Sequence, residues 1–422
     1  MKVLVVGSGG REHAICWALS RSPRAPEIIA VPGNAGIAEI GQCIPGNPND
    51  VAAMAGLAEE LAVDLTVIGP EAPLVAGIAD EFRSRGLRVV GHGRDAARLE
   101  GSKIFSKEFM SRHGIPTARF VACDTAEAAR DAVRSAGLGL PIVIKADGLA
   151  AGKGVVIAET IAEADEAIDA MMVRRSLGDA GQRVLVEEAL RGREASLIYF
   201  TDGEHLIAMP PAQDYKRIGD GDTGPNTGGM GTFSIDGLID DDVVRIVRDT
   251  IAEPTVRHMH LEGAPLSGMM FVGVMLTDSG PMVLEYNMRL GDPETQSVLK
   301  RLDSDLLDLF DGIADGSIDG LAPDWSEDAA LCLVLASSGY PGSIEKGKRI
   351  EGLADAAAVE GVTVFHAGTA IGLDGATVTS GGRVLGVTAR ANSLDAARRR
   401  AYEAAGRIRF EGKVNRSDIG SY

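Results

Sequence analysis

The chain has 422 residues, 45% of them hydrophobic and 24% charged, enough for roughly two to four domains with buried cores. Its 42 Lys and Arg stand against 60 Asp and Glu, and the resulting net charge of -18 argues against a broad face for nucleic acid or anionic membrane. The four cysteines, Cys16, Cys43, Cys123 and Cys332, form no C-x-x-C pair, so neither a zinc site nor a disulfide framework is expected.

The opening MKVLVVGSGGREH contains an apolar run too short for a secretory signal, and no apolar stretch approaches the roughly 18 residues of a membrane span. A cytoplasmic location is expected. Apolar runs at 2–6, 27–31, 64–69 and 87–91 alternate with Ala-rich segments of helical period, which predicts an open α/β domain over 1–100. The loop GSGGREH at 7–13 leaves the first strand and opens a helix. It carries Gly7 and Gly9 of a G-x-G-x-x-G fingerprint, but Glu12 stands where the third glycine belongs, so dinucleotide binding is not expected. What remains is either a helix start that holds a phosphate beside Arg11, or a tight turn with a surface arginine. Loops at 32–36 and 69–73 leave other strands at the same rim, where ligands of open parallel sheets sit.

After a boundary near 101, SKIFSKEFMSRHG predicts a helix stopped by Gly114 and Pro116. Asp124 with Glu127, and Thr160 with Glu163, have capping-box spacing and open two further helices. Between them, residues 142–158 read as strand, loop, strand, with Lys145 and Lys153 and with Gly148, Gly152 and Gly154. This is no Walker A motif, since a strand and not a helix follows Lys153. It is either a glycine flap that closes over nucleotide phosphates or a flexible hairpin. Glu187, Glu188 and Glu194 then crowd a strand exit, as ribose ligands or as solvated surface acids. Asp214, Lys216 and Arg217 head a glycine-rich stretch to 231 that is either mobile or wrapped around a ligand.

Asp278-Ser279-Gly280 reads as a hairpin turn into PMVLEYNMRLGDPETQ. Alternation puts Glu285, Asn287 and Arg289 on one face and Leu284, Tyr286 and Met288 on the other, with same-face neighbours about 6.5–7 Å apart. Either the polar face meets water, or Glu285 and Asn287 reach one Mg²⁺ while Arg289 holds an acyl or phosphoryl oxygen. His258 and His260 point apart on a helix, and no histidine forms a triad with Ser or Cys. From 326, three strand runs and the helix SLDAARRRAYEAAGRI predict a smaller third domain.

Taken together, GSGGREH, PGNAG, GPEAPL, LEGSK, VIKADGLAAGKGV, AQDYKR, GPNTGGMG, E-x-N-x-R-x-GDPETQ, VFHAGT and SGGRVL resemble the ATP-grasp superfamily and, within it, the phosphoribosylamine-glycine ligase family, from Gly7 to about Asp418. The resemblance implies a Rossmann-like open parallel sheet (1–100), a central ATP-grasp domain of two α+β lobes (101–325, with a lid lobe at about 121–190) and a small mixed, β-rich C-terminal domain (326–422). ATP would meet Lys103, Lys145, the flap residues Gly148, Gly152, Lys153 and Gly154, the adenine hinge Glu187, Glu188, Ala189 and Leu190, and, at the ribose, Glu194. Glu285 and Asn287 would carry Mg²⁺ (or Mn²⁺), with Arg289 beside them as the third catalytic residue. The phosphoribosylamine site would fall at Gly9, Gly10, Arg11, Asn34, Glu71, Asp214, Lys216 and Arg289. The implied reaction joins glycine to 5-phosphoribosylamine through glycyl phosphate, using ATP, in a monomeric enzyme of purine synthesis. Two departures stand out: Tyr215 replaces the family's usual His and is given no role, and residues 271–277 lack the further metal-binding acid of many ATP-grasp enzymes.

Overall fold

The apolar runs of the first hundred residues form a five-stranded parallel sheet in a computed structural model that describes residues 1–150 and 154–421. Across it the strands run Gln42–Cys43, Glu27–Pro32, Lys2–Gly7, Leu65–Ile68 and Val89–Val90. Chain order reverses beside Lys2–Gly7, so the loops after Lys2–Gly7 and Leu65–Ile68 border one crevice at the carboxyl ends of the strands. Both faces are covered, which is why these strands are continuously apolar.

Ser102 accepts a hydrogen bond from Phe105 N–H at 3.1 Å and starts the helix Lys103–His113, and Gly114, at φ +66°, ends it as expected. An antiparallel four-stranded sheet follows, ordered Phe120–Cys123, Val184–Glu188, Ile142–Ala146, Val155–Ala158. Its helices Ala126–Ser135 and Ile161–Ile168 pack together over Ala129, Ala132, Ala164 and Ala167. Thr160 caps the second helix as expected, but Thr125, not Asp124, caps the first. Asp124 instead accepts from Arg183 Nε at 2.5 Å, and the Thr125 hydroxyl one residue later accepts from Ala128 N–H at 3.2 Å.

A second antiparallel sheet, Leu206–Ala208, Arg193–Thr201, Gly268–Thr277 and Gly280–Asn287, carries the predicted hairpin. The third sheet crosses the expected division at 326: Gln213–Asp214 pairs with Gly231–Ser234, which pairs onto Ala329–Ser337, followed by Arg383–Ala391 and Val362–His366. Asp214 thus sits at the edge of the C-terminal sheet. The architecture is mixed α/β, with a parallel N-terminal sheet and an antiparallel, β-rich C-terminal region. Among the described residues, no helix is long and apolar enough to cross a membrane.

His92 locks the N-terminal sheet to the second sheet: fully buried, its Nε2 meets the Met269 carbonyl at 2.9 Å. The carbonyl can only accept, so Nε2 carries the proton. Burial lowers the His92 pKa to about 4. The unfolded chain therefore takes up a proton below about pH 6.5 that the folded chain refuses until about pH 4, and the stability held above that window is lost as pH falls through it. Relative to His92→Gln, the parent should lose roughly 2 kcal/mol between pH 7 and pH 5 in urea titrations. Parallel pH profiles for the two proteins would contradict this assignment.

Candidate functional site

The rim begins at the loop that fails the dinucleotide fingerprint. Glu12 folds back so that its carboxylate accepts from Gly9 N–H and from Arg11 Nε, each at 2.5 Å. A Cβ on Gly7, whose φ is +129°, would lie 2.6 Å from the Glu12 Cδ, and one on Gly69 would strike the same carboxylate. Glycines from two loops therefore make room for one buried acid, in the space that close helix–strand packing around a pyrophosphate would need. Arg11 is not the surface arginine of the alternative reading. It is 6% exposed, and its second nitrogen donates to the Leu290 carbonyl at 3.2 Å.

Asn34 spends its amide inside the protein. Nδ2 donates to the carbonyls of Ser8 (2.9 Å) and His366 (2.8 Å), and Oδ1 accepts from Gly36 and Ile37 N–H at 3.0 Å each. His366 N–H donates in turn to His13 Nδ1 at 2.8 Å, so two rim loops and the C-terminal domain are stapled together. Gly10 lies against Gln296 and Asp292 of the GDPETQ turn.

Arg289 joins the rim to the second antiparallel sheet, here called the central sheet. One terminal nitrogen lies 2.9 Å from Glu100 Oε1 and donates to Asn287 Oδ1 at 3.1 Å, while Nε lies 3.5 Å from Glu71 Oε2. Glu100, 7% exposed, also accepts from Met288 N–H at 2.6 Å. Burial opposes the charge on Arg289, yet Glu100 and Glu71 raise its pKa above that of a free guanidinium. For Glu71, burial is outweighed by Arg289 and Arg11, which hold its carboxyl below the usual range. Burial wins at Glu100 and pushes its carboxyl up.

Glu285 faces the cleft with its side chain 38% exposed, 3.9 Å from Lys216 Nζ, which also lies 3.1 Å from Glu194. Desolvation resists its charge, but Lys216, Lys103 and Lys145 hold its carboxyl below the ordinary range. Glu194, Glu285 and Asp214 likewise raise the Lys216 pKa against burial. The predicted alternation needs one correction. A bulge opposite Gly273 and Val274 pairs Glu285 and Val283 with consecutive residues, so Leu284 is the extra one. Leu284 therefore leaves the face of Tyr286 and Met288 and lines a pocket with Glu194, Ser196, Asp214 and Lys216. Tyr215 packs away from the cleft under Arg416 and accepts from Gly420 N–H at 3.2 Å.

Glu187 is no solvated surface acid. It is 2% exposed, between Lys145 Nζ at 3.0 Å and Lys107 Nζ at 3.2 Å. Lys107 went unassigned in the sequence, although its i,i+4 spacing from Lys103 puts both on one helix face. Burial lowers its pKa to about 8 against the pull of Glu187. Glu188, one residue on, is turned out to Arg119, at 2.7 Å from Nε. Ala189 and Leu190 follow, half-buried. At the flap, Asp147 Oδ1 accepts from Ile104 N–H (2.9 Å) and Ser102 Oγ (2.8 Å), seating the loop on the helix that starts at Lys103. Gly148 and Gly154 pack against Ala180 and Ala150, while Gly152 and Lys153 lie outside the described residues.

At the far end of the cleft, Asp214 Oδ1 is closed off from solvent and has no hydrogen-bond partner. Glu294, 4% exposed, is held by Ser196 Oγ at 3.5 Å. Asp292 meets Arg383 at 3.3 Å and accepts from Gln296 Nε2 at 2.8 Å. Glu100, Asp292, Glu294 and Arg383 all lie in LEGSK, GDPETQ and SGGRVL, where their loop sequence alone assigned them nothing. Among the described residues, no three His, Cys, Asp or Glu side chains gather as a metal cluster. Glu285 and Asn287 nevertheless supply a charged and a neutral oxygen side by side, a donor set that suits a hard cation completed by phosphate and water.

Models of phosphoribosylglycinamide synthetase match the chain in three parts: the N domain over 1–100, the ATP-grasp (A) domain over 101–295 and the C domain over 330–422. The chain is 47% identical over 423 residues to the phosphoribosylamine--glycine ligase of Xanthomonas axonopodis pv. citri, covering 100% of this chain and 97% of that one. Among solved structures, it is similar to phosphoribosylamine--glycine ligase from Thermotoga maritima, with a TM-score of 0.87 and 35% identity over 99% of this chain and 100% of that one. A biotin carboxylase from Campylobacter jejuni shares the fold at 14% identity and a TM-score of 0.75, covering 98% of this chain and 92% of that one.

Proposed function

Since the chain belongs to the phosphoribosylglycinamide synthetase family, we propose that it joins glycine to 5-phosphoribosylamine at the expense of ATP, forming glycinamide ribonucleotide in purine biosynthesis. The observation that carries this reading is the contact of Arg289 with both Glu71 of the rim and Asn287 of the central sheet. A nucleotide beside Glu285 and a sugar phosphate on the rim would meet at one arginine.

ATP lies between the antiparallel sheet of Phe120–Cys123, Val184–Glu188, Ile142–Ala146 and Val155–Ala158 and the second sheet, which carries Glu285 and Asn287. Lys103 and Lys145 take its phosphates, with the flap residues Gly148, Gly152, Lys153 and Gly154, while Glu187, Glu188, Ala189 and Leu190 hold the adenine and Glu194 the ribose. Lys107 stays on Glu187 and keeps that buried acid paired when Lys145 turns to phosphate. Glu285 and Asn287 hold Mg²⁺ (or Mn²⁺), which when bound neutralises phosphate charge. Gly9, Gly10, Arg11, Glu71 and Arg289 hold the phosphoribosylamine, Asn34 fixes the loop around it, and Asp214 and Lys216 bind substrate at the other end of the cleft. A monomer in the cytoplasm is part of this reading.

A carboxylate becomes a usable electrophile once phosphorylated, and that transfer asks for positioning and charge neutralisation more than for a protein nucleophile. A glycine oxygen attacks the γ-phosphorus and ADP leaves. The sugar amine then attacks the acyl carbon, and phosphate departs with the former carboxylate oxygen. Glycine labelled with ¹⁸O in its carboxylate should therefore pass one ¹⁸O to each phosphate released. Unlabelled phosphate would contradict the acyl phosphate.

The rim assignment has its own test. Arg11→Ala, which also strips the buried Glu12 of its partner and so lowers stability, should leave the ATP affinity of the folded protein unchanged and raise the phosphoribosylamine concentration needed roughly ten- to a hundredfold, the cost of one charge-assisted contact. Glu71→Ala should do the same to a smaller degree, because Glu71 only accepts. Calorimetry of ATP binding beside steady-state kinetics decides, and an equal loss of ATP affinity would withdraw the rim from phosphoribosylamine.

A further inference from the structure

We propose that Arg416 is a positioning residue for the reaction: with the strap of residues 416–421 it fixes, from behind, the chain segment that presents Asp214 and Lys216 to the cleft. This rests on the ligase reading above and adds to it a residue that no loop motif singled out and that lies on the side of Tyr215 away from the cleft.

The segment needs a support. Gln213–Asp214 is the last strand of its sheet and pairs along one side, with Gly231–Ser234. The chain stays extended beyond it: Tyr215 N–H donates to the Gly231 carbonyl at 3.0 Å, and the Lys216 carbonyl accepts from Thr227 N–H at 2.8 Å. Alternation sends Asp214 and Lys216 into the pocket and Tyr215 to the opposite face. Edge segments bonded along one side open at low cost, and both cleft side chains are carried on this one.

The strap closes the face that alternation leaves open. Arg416 is 1% exposed, and its guanidinium carbon lies 4.9 Å from the Tyr215 ring centroid. One terminal nitrogen donates to the Arg217 carbonyl at 3.1 Å and to Asp222 at 2.7 Å, while Nε and the other terminal nitrogen grip the two oxygens of Asp418 at 2.7 and 2.6 Å. Only a planar fork meets a carboxylate twice and a carbonyl at once. Asp418 accepts in turn from Gly221 N–H at 2.8 Å, Asp220 accepts from Ser417 N–H at 2.8 Å, and Gly420 N–H donates to the Tyr215 hydroxyl. The strap is itself anchored. Ile419, fully buried, fills the room that Gly231 leaves, where a Cβ would lie 2.7 Å from it. Arg398 of the helix Leu394–Arg407 donates to the carbonyls of Ser417 and Ile419 at 2.9 and 3.1 Å. The bond to Arg416 holds the Asp418 carboxyl down to about 2, so the clasp stays ionised at neutral pH.

Arg416→Gln should lower kcat/KM for glycine and for phosphoribosylamine about ten- to a hundredfold, the usual effect of displacing a binding group by about 1 Å, with KM for ATP within about threefold of the parent. A variant that melts earlier but keeps the parent's kinetic constants overturns the positioning role, and so does a loss shared equally by ATP. Absence of glycine-dependent ADP release in the parent protein overturns the ligase reading itself, whatever the variant does. Should the variant fail to fold, hydrogen exchange in the parent decides. Peptides covering 213–219 and 416–421 should slow together, by about threefold or more, when glycine and MgADP are added, although the strap stands outside the cleft. Protection confined to 213–219 overturns the proposal.

Discussion

Glu285→Gln should fold normally and lose about a hundred- to a thousandfold in ligase turnover. The side chain is 38% exposed in the cleft and packs into no core, so an amide of the same shape leaves stability within about 0.5 kcal/mol of the parent. The charge is what matters. Lys216, Lys103 and Lys145 hold Glu285 ionised, and a carboxylate is a far better ligand for a hard cation than a neutral amide. Losing one preorganised electrostatic contact to a transferring group typically costs about 2.7–4 kcal/mol of barrier. ADP release under saturating substrates and a thermal melt read the two effects separately. Turnover within about threefold of the parent would remove Glu285 from the cation site.

Arg289→Ala should fail in both respects. The guanidinium is 17% exposed and neutralises Glu100 at 6%, so its removal leaves an unpaired buried acid beside Glu71. Breaking such a pair from one side costs about 3–5 kcal/mol, a large part of the roughly 5–15 kcal/mol that keeps a domain folded. Turnover should vanish with it, because the same side chain fixes the Asn287 oxygen. Arg289→Met combined with Glu100→Gln should recover much of the stability and none of the activity, since no isolated charge then remains. Urea titration of the single and double variants checks this. A single variant less than about 1 kcal/mol below the parent would show that Arg289 is not the link between rim and sheet.

Much of the fold was legible where periodicity and turn chemistry act locally. The four apolar runs became parallel strands, Gly114 stopped its helix, and Asp278-Ser279 made the hairpin turn that brings Glu285 and Asn287 to the cleft. The bulge at Leu284 was not legible, because alternation assumes an unbroken register and Gly273 gives no sign in its own strand of the residue opposite it. Nor was the placement of strands Gln213–Asp214 and Gly231–Ser234 in the C-terminal sheet, a pairing between segments about a hundred residues apart.

In the site, motif residues came together where the loops predicted a cleft, but partnership was hidden. Glu187 reads in sequence like Glu188, yet one is buried between two lysines and the other turned to a surface arginine. Glu12 looked only like a missing glycine. Its role in closing the first rim loop depends on Gly69, which lies far off in the chain.

The most direct test of the ligase reading is ADP release by the purified protein with Mg²⁺, ATP and glycine, with and without phosphoribosylamine generated in situ. Sustained ADP release that needs both glycine and phosphoribosylamine, with phosphate formed one for one, is the predicted result. ADP release that proceeds equally without phosphoribosylamine, or that bicarbonate supports in place of glycine, would contradict it.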